Sequence, residues 1–535
     1  MRRFFSNLSL LLVVCLVLFN CANRGTPTGG DKDETPPTIE KSVPENNSVN
    51  FNTKEIKIYF DEYIKLNDLQ KQLIISPPMD PPPEITPLGS ASKYITIKIQ
   101  DTLLENTTYA INFGTSIVDN NEGNPYPYYR YVFSTGSYID SLSVGGYVKN
   151  SLERAPDDFV SVMLYEVNDA FNDSIIYKEK PKYITNTLDS VTSFKLENLK
   201  AGKYLMVALK ETNENYIFQQ KTDKIAFKKE FITVPSDSVY EMNLFKEIPD
   251  FKAVRPSLVS GNKIAFGYEG EGEDMTIELL SPTASDFRNV ITKEVDKDTL
   301  NYWYKPNFEA DSIMVKVSKA NFSETFKVNL RDLEKDTLIV KPIETRALKL
   351  LEDFQLQGTT PFTAIDESKI TILDQDSTAI AFTSTLDKLN NIYSLSFDKT
   401  EKNVYDMQML PGAFTDFFED RNDTLNFSIR TKEESDYGEV RVNLQNATYP
   451  VIVQLIDQKG EVEAELYAED NSKPLDFLSL NPGKYFIRVI FDSNKNKKHD
   501  PGNYLKKLQP ERVSYYPDEI EVRAYSEQIF TFTLQ

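Results

Sequence analysis

A chain of 535 residues exceeds the usual domain of roughly 100–200 residues, so several domains are expected. Apolar residues at 40% suffice for packed cores, while 81 acidic residues against 60 basic ones leave a net charge of −21. That balance excludes nucleic acid, whose backbone needs clustered positive charge, and electrostatic docking on anionic lipid. One histidine (His499) and two cysteines (Cys15 and Cys21) leave little for triads, zinc sites or disulfides.

In chain order, Arg2 and Arg3 form a short basic start, and Leu8 to Phe19 is an unbroken apolar run. A spanning helix needs about 20 apolar residues, so residues 1–20 read as a secretory signal rather than a membrane span. The run ends in Leu18-Phe19-Asn20-Cys21, and a polar Gly/Pro-rich tether follows over residues 21–35. These residues resemble the lipobox of bacterial lipoproteins, with Asn20 where Gly, Ala or Ser is usual. The resemblance implies that Cys21 becomes the first mature residue and carries palmitate-type acyl chains, a membrane anchor that one chain alone would make only marginal. Cys15 leaves with the signal, so the remaining body has no thiol chemistry. Ala22 follows the cysteine, and the acidic run Asp31 to Glu34 comes late. Among the Bacteroidota lipoproteins this segment resembles, that pattern implies the outer membrane, facing the periplasm rather than surface-exposed.

From residue 36 onward the texture is uniform. Runs such as Ile56 to Phe60 and Tyr94 to Ile99 alternate with period two and are separated by Asn, Asp, Gly and Pro clusters. Only residues 65–75 suggest a helical turn or two. Short strands with frequent turn signals predict an all-β chain of tandem β-sandwiches. Over 36–136 the phrases are Pro44-Glu45-Asn46-Asn47, Ile58 to Glu62, Leu104 with Thr107 and Tyr109, Ile117-Val118-Asp119 before Gly123-Asn124, and Phe133-Ser134-Thr135. Together they resemble the bacterial Ig-like domain of the S-layer-protein type.

A different phrase occurs twice. Leu199-Lys200-Ala201-Gly202-Lys203-Tyr204 aligns with Leu480-Asn481-Pro482-Gly483-Lys484-Tyr485, and the same offset pairs Asn213 with Asn494 and Asn215 with Asn496. After a seven-residue insertion, Ile232-Thr233-Val234 aligns with Ile520-Glu521-Val522. This internal repeat places related domains at 142–247 and 435–535. The phrase resembles the prealbumin-like, carboxypeptidase-regulatory-like sandwich, in which a Pro-Gly turn reverses the chain between two core strands. Residues 344–432 resemble a divergent second Ig-like copy, since Phe414-Thr415-Asp416 echoes Ile117-Val118-Asp119 and Leu425 to Ser428 echoes the closing strand. Residues 249–343 have strand texture of unclear type. Gly267 to Gly272 there is too acidic for a phosphate loop and reads as a hairpin turn.

Candidate chemistry is sparse. Asp492, Asn494, Asn496 and Asp500 stand at positions 1, 3, 5 and 9 of a calcium-type loop, with the Lys498 carbonyl at position 7. Lys497 replaces the usual glycine and Asn503 the usual glutamate, so a weak calcium site competes with ordinary Asx turns. Otherwise no cofactor is expected. His499 reads as a surface loop residue. The run Tyr126 to Tyr131 offers either stacking platforms or core aromatics. Glu419-Asp420 is one of many acidic pairs, and Trp303 is the only tryptophan. The expectation is a non-catalytic, lipid-anchored envelope rod acting as spacer, scaffold or protein-interaction module, bound to the membrane through its anchor and to an envelope protein partner. The alternatives are a carbohydrate- or peptide-binding lipoprotein of an uptake system and an acid/base hydrolase with paired carboxylates.

Overall fold

The computed structural model describes residues 33–187, 191–343 and 347–534. The signal-like run and Cys21 lie outside these residues. Among the described residues there are 41 strands, one four-residue α-helix at Leu69–Gln72 and three short 3-10 helices, so the chain is all-β. It divides into two compact units. The first comprises residues up to 142 with short pieces at 183–185 and 197–200, and the second comprises the remainder.

The first unit holds an Ig-like sandwich. One sheet runs in the order Ile39–Val43, Glu55–Leu66, Ser92–Lys98, Glu84–Thr86, with Ile117–Asp119 also paired to Glu55–Leu66. The other runs Ile74–Ser76, Thr108–Asn112, Arg130–Ser134. Alternation decides which side chains enter the core: Ile56, Ile58 and Phe60 face Tyr109, Ile111, Tyr131 and Phe133. The sequence phrases have physical reasons. Asn46 takes the N–H of Val132 at 2.8 Å and donates to the Arg130 carbonyl at 3.0 Å, tying the first loop to the closing strand. Asp119 is buried and its carboxylate accepts the backbone N–H groups of Asn121, Glu122, Gly123 and Asn124 at 2.7–3.0 Å. Gly123 takes φ +82 in that turn, where a side chain would be strained.

The sandwich of the first repeat copy lies in the second unit apart from Leu142 and residues 183–185 and 197–200. Its strands run in the order Tyr183–Asn186, Ser161–Glu166, Gly202–Lys210, Lys224–Phe227, Val239–Lys246, Leu142–Asn150, Ser193–Leu199. The last strand of this copy, Val239–Lys246, pairs in parallel with its first, Leu142–Asn150. In the final sandwich Ser526–Thr533 pairs in parallel with Gly438–Gln445 in the same way. The register agrees residue by residue: Gly202 opposes Val234 and Tyr204 opposes Ile232, while Gly483 opposes Val522 and Tyr485 opposes Ile520. The Gly-x-Tyr spacing has a steric cause. A Cβ on Gly202 or Gly483 would lie 3.2–3.3 Å from the tyrosine two residues on, so glycine leaves room for the ring.

Two sandwiches lie between these copies. The first pairs Lys252–Ala253, Lys263–Glu269, Thr299–Lys305 and Arg288–Lys293 in one sheet and Thr276–Leu279, Ser312–Lys319 and Phe322–Asn329 in another. Gly267 to Gly272 is not a hairpin turn: it carries the chain from the first of these sheets to the second. Gly270 takes φ +74 there, and a Cβ would meet the Pro249 carbonyl at 2.3 Å.

The next sandwich orders its strands Val340–Pro342, Phe354–Gly358, Ile392–Phe397, Phe382–Asp387 against Ile370–Leu373, Val404–Met409, Leu425–Arg430, with Phe362–Ile365 paired to Phe414–Asp416. This repeats the strand order of the Ig-like sandwich in the first unit, with the long strand Glu55–Leu66 split into two. This sandwich starts slightly before residue 344, because Val340 pairs with Gly358 and joins the core of Leu356, Tyr393 and Tyr405.

Candidate functional site

The loop 492–500 brings the four predicted ligands together. Asp492 is 0% exposed, and its carboxylate accepts the N–H groups of Asn496 at 3.1 Å and Lys497 at 2.9 Å. Asn494 and Asn496 both donate their side-chain amides to Asp500, the second at 2.8 Å. Their own oxygens accept from Asn496 N–H at 3.1 Å and Lys498 N–H at 2.8 Å. Each of the four candidate side chains therefore accepts a hydrogen bond from within the loop, as Asx turns do. Among the described residues, no group of three or more His, Cys, Asp or Glu gathers to hold a metal ion.

The first copy closes its loop by the same device. Glu211, which aligns with Asp492, accepts the N–H of Tyr216 at 2.6 Å, and Asp223 accepts from Thr212 and Gln219 at 3.3 and 2.9 Å. The other Glu211 oxygen is buried without a partner, and burial pushes the carboxyl up to about 7.

Other candidates resolve into structural parts. His499 is half-buried rather than on the surface, because the loop folds back on Glu511, which takes the N–H groups of Ser493 at 2.6 Å and Asp500 at 3.2 Å. Its Nε2 is buried without a partner, and burial, helped by the Arg488 charge, lowers its pKa. Tyr129 and Tyr131 belong to the Ig-like core, and Tyr126 meets Tyr129 edge-on at 5.8 Å; of the tyrosines in that run only Tyr128 is exposed. Glu419 pairs with Lys305 at 2.9 Å, and the N–H of Asp420 donates to Asp416. Trp303 is 3% exposed and donates to Thr292 at 2.9 Å. It borders a cleft of about 700 Å³ lined by Lys263, Lys293, Asn301, Gln357 and Asn390, but offers no open ring face to it. Lys263 lies 4.7 Å from the ring centroid and 2.6 Å from Asp336.

One feature escaped the sequence reading. The seven-residue insertion that distinguishes the last repeat copy falls between Asn496 and Ile520, and the stretch 500–512 that includes it leaves its own sandwich to pack on the 142–247 sandwich. Tyr504 is 0% exposed, its ring 5.2 Å from Phe227 and 6.3 Å from Tyr177. Its N–H donates to Glu247 Oε1 at 2.5 Å, and Lys507 reaches Asp173 at 2.6 Å. Nearby, Arg488 donates to the Leu152 carbonyl at 3.3 Å and Tyr515 donates to the same oxygen. The insertion itself was the available signal, since an insert present in one copy only has to be accommodated somewhere.

The bacterial Ig-like domain family matches residues 33–135, which corresponds to the sandwich of the first unit. No functionally curated protein matches the sequence. Among solved structures, domains 1–6 of the surface layer protein SbsC align at 10% identity over 91% of this chain and 67% of that one, with a TM-score of 0.17. The tandem Ig repeats of Dlar align at 9% identity over 34% of this chain and 98% of that one, with a TM-score of 0.14. A titin I-band fragment, I67–I69, aligns at 12% identity over 53% of this chain and 98% of that one, with a TM-score of 0.12. Scores this low do not define a shared arrangement of domains.

Proposed function

We propose that the chain is a non-catalytic cell-envelope protein whose tandem β-sandwiches act as spacer, scaffold or protein-interaction module. The observation that carries this reading is the bacterial Ig-like domain at 33–135, joined by a second sandwich of the same strand order at 340–430. Supporting it, the groups best suited to chemistry serve the fold: Asp119, Asp416 and Asp492 accept backbone N–H groups, and Trp303 packs inside a junction. Fold alone does not fix function, so the reading rests on these residues as well as on the architecture.

The anchor belongs to the same proposal. Cys21 takes acyl chains, and the protein sits in the outer membrane of a bacterium of the Bacteroidota, facing the periplasm and meeting another envelope protein there. A second reading, a carbohydrate- or peptide-binding lipoprotein, is favoured by the polar cleft beside Asn301, Gln357 and Asn390. Fractionation and pull-down test both. Cys21→Ala should abolish acylation and move the protein out of the outer-membrane fraction, while wild type retrieved from membranes should bring a protein partner. Wild type in the soluble fraction overturns the anchor, and retrieval of glycan in place of protein favours the second reading.

A further inference from the structure

Residues 500–512 join two sandwiches that are not neighbours in the chain. We propose that this insertion is a latch: it holds the last sandwich of the second unit against the first sandwich of that unit and closes the two sandwiches between them into a loop of the chain. The first repeat copy lacks the insertion, so the device belongs to the last sandwich alone.

The construction is that of a plug in a socket. Tyr504 supplies the buried ring, seated against Phe227 and Tyr177 and flanked by Phe245 beneath Gly502. Glu247 holds the plug's backbone with one oxygen and Gln220 with the other, at 2.5 and 2.6 Å. Lys507 lies 4.2 Å over the Tyr504 ring while it pairs with Asp173, and Gln509 donates to the Phe227 carbonyl at 3.0 Å. A second patch fixes the rotation of one sandwich on the other. Arg488 is buried, braced by Gln454 at 2.6 Å, and reaches the Leu152 carbonyl. Arg154 reciprocates, donating to the Pro517 carbonyl at 3.2 Å with its guanidinium 4.3 Å from the Phe486 ring centroid.

Buried aromatics and arginines of this kind concentrate the energy of an interface in a few residues. The socket is also unforgiving: a Cβ on Gly502 would lie 2.5 Å from the Phe245 ring and 2.6 Å from the Leu508 carbonyl, with no room to shift. Yet the Tyr504 hydroxyl is buried without a partner, and an unmet polar group inside a contact is a cost that opening removes. The contact is specific and releasable. Once it is released, the chain through 249–434 and the smaller patch around Arg488 and Arg154 connect the two sandwiches.

Spin labels at Asp169→Cys and Asn471→Cys, both exposed positions, read the separation of the two sandwiches in the full chain carrying Cys15→Ser and Cys21→Ser. The latch gives one narrow distance distribution. Tyr504→Ala and Gly502→Leu should each broaden it with a longer component and speed tryptic cleavage at Lys506 and Lys507 at least tenfold. Leu505→Ser, at an exposed position of the same insertion, should change neither readout. An unchanged circular dichroism spectrum separates opening from misfolding. A broad distribution in the unmutated insertion, or a narrow one with unchanged cleavage in both variants, overturns the latch.

Discussion

At the residue scale, the informative groups are those whose burial is imperfectly matched by partners. Glu211 is the clearest, because one of its oxygens accepts a backbone N–H while the other is buried alone. An unfolded glutamate titrates near 4.5, and burial in the fold moves this one to about 7. Between those values the folded chain keeps a proton that the unfolded chain has released. Stability therefore falls as pH rises from about 4.5 to about 7, and the loss persists above that. Glu211→Gln keeps the shape and cannot ionise. Each tenfold change in the proton equilibrium is worth about 1.4 kcal/mol, and residual exposure to water reduces the total. The variant should match wild type near pH 4.5 and exceed it by about 2 kcal/mol at pH 8, read by urea unfolding at both values. An equal difference at both pH values would point to packing instead of ionisation. His499 illustrates why such groups are hard to see beforehand. Lys497 and Lys498 precede it and Asp500 follows it in the sequence, which reads as solvent, and only the return of the loop onto Glu511 half-buries it.

At the scale of the element, the recurring device is a buried carboxylate that gathers the backbone N–H groups of the turn after it. Asp119 and Asp416 do so after short strands in the two sandwiches of matching strand order, and Glu211 and Asp492 do so after long strands in the two repeat copies. The device explains what was legible. A turn that needs one acceptor and several small or polar residues leaves a readable phrase, as Ile117-Val118-Asp119 before Gly123-Asn124 does. The Gly-x-Tyr step was legible for a similar reason, since a Cβ at the glycine would crowd the ring. What the phrase leaves open is whether a cation joins the acceptor, because calcium loops use the same residue types. In the 492–500 loop each candidate side chain already accepts a hydrogen bond, so the expected result is no metal dependence. The full chain should melt identically in millimolar calcium and in chelator, followed by calorimetry. An ion present at ten times its dissociation constant would instead add about 1.4 kcal/mol, a rise that would assign Asp492, Asn494, Asn496 and Asp500 as ligands.

At the scale of the whole molecule, the four sandwiches of the second unit are not independent beads, since side chains couple both sequential and distant pairs. A string of separate domains was the natural expectation, because contact between domains depends on scattered residues such as Tyr177, Phe227 and Glu247 that no local pattern links. The single tryptophan offers a way to read one coupling directly. Trp303 comes from the 249–343 sandwich, and the ring of Phe418 from the next sandwich meets it with centroids 6.2 Å apart. Lys305 crosses the same junction, pairing with Glu419 and lying 5.3 Å from the Phe417 centroid. The emission of Trp303 is thus a reporter of this junction alone, whereas circular dichroism averages over every sheet. Phe418→Ala removes one half of an aromatic pair worth about 1 kcal/mol beyond its burial and admits water to the indole. Its emission should shift to the red, and its fluorescence-detected unfolding midpoint in urea should fall by more than the midpoint read by circular dichroism. Coincident shifts in the two signals would mean that the junction and the remaining sandwiches unfold as one. Tyr504→Ala should leave the native emission untouched, because the latch lies on other sandwiches, and a red shift in that variant would show that the two contacts are mechanically joined.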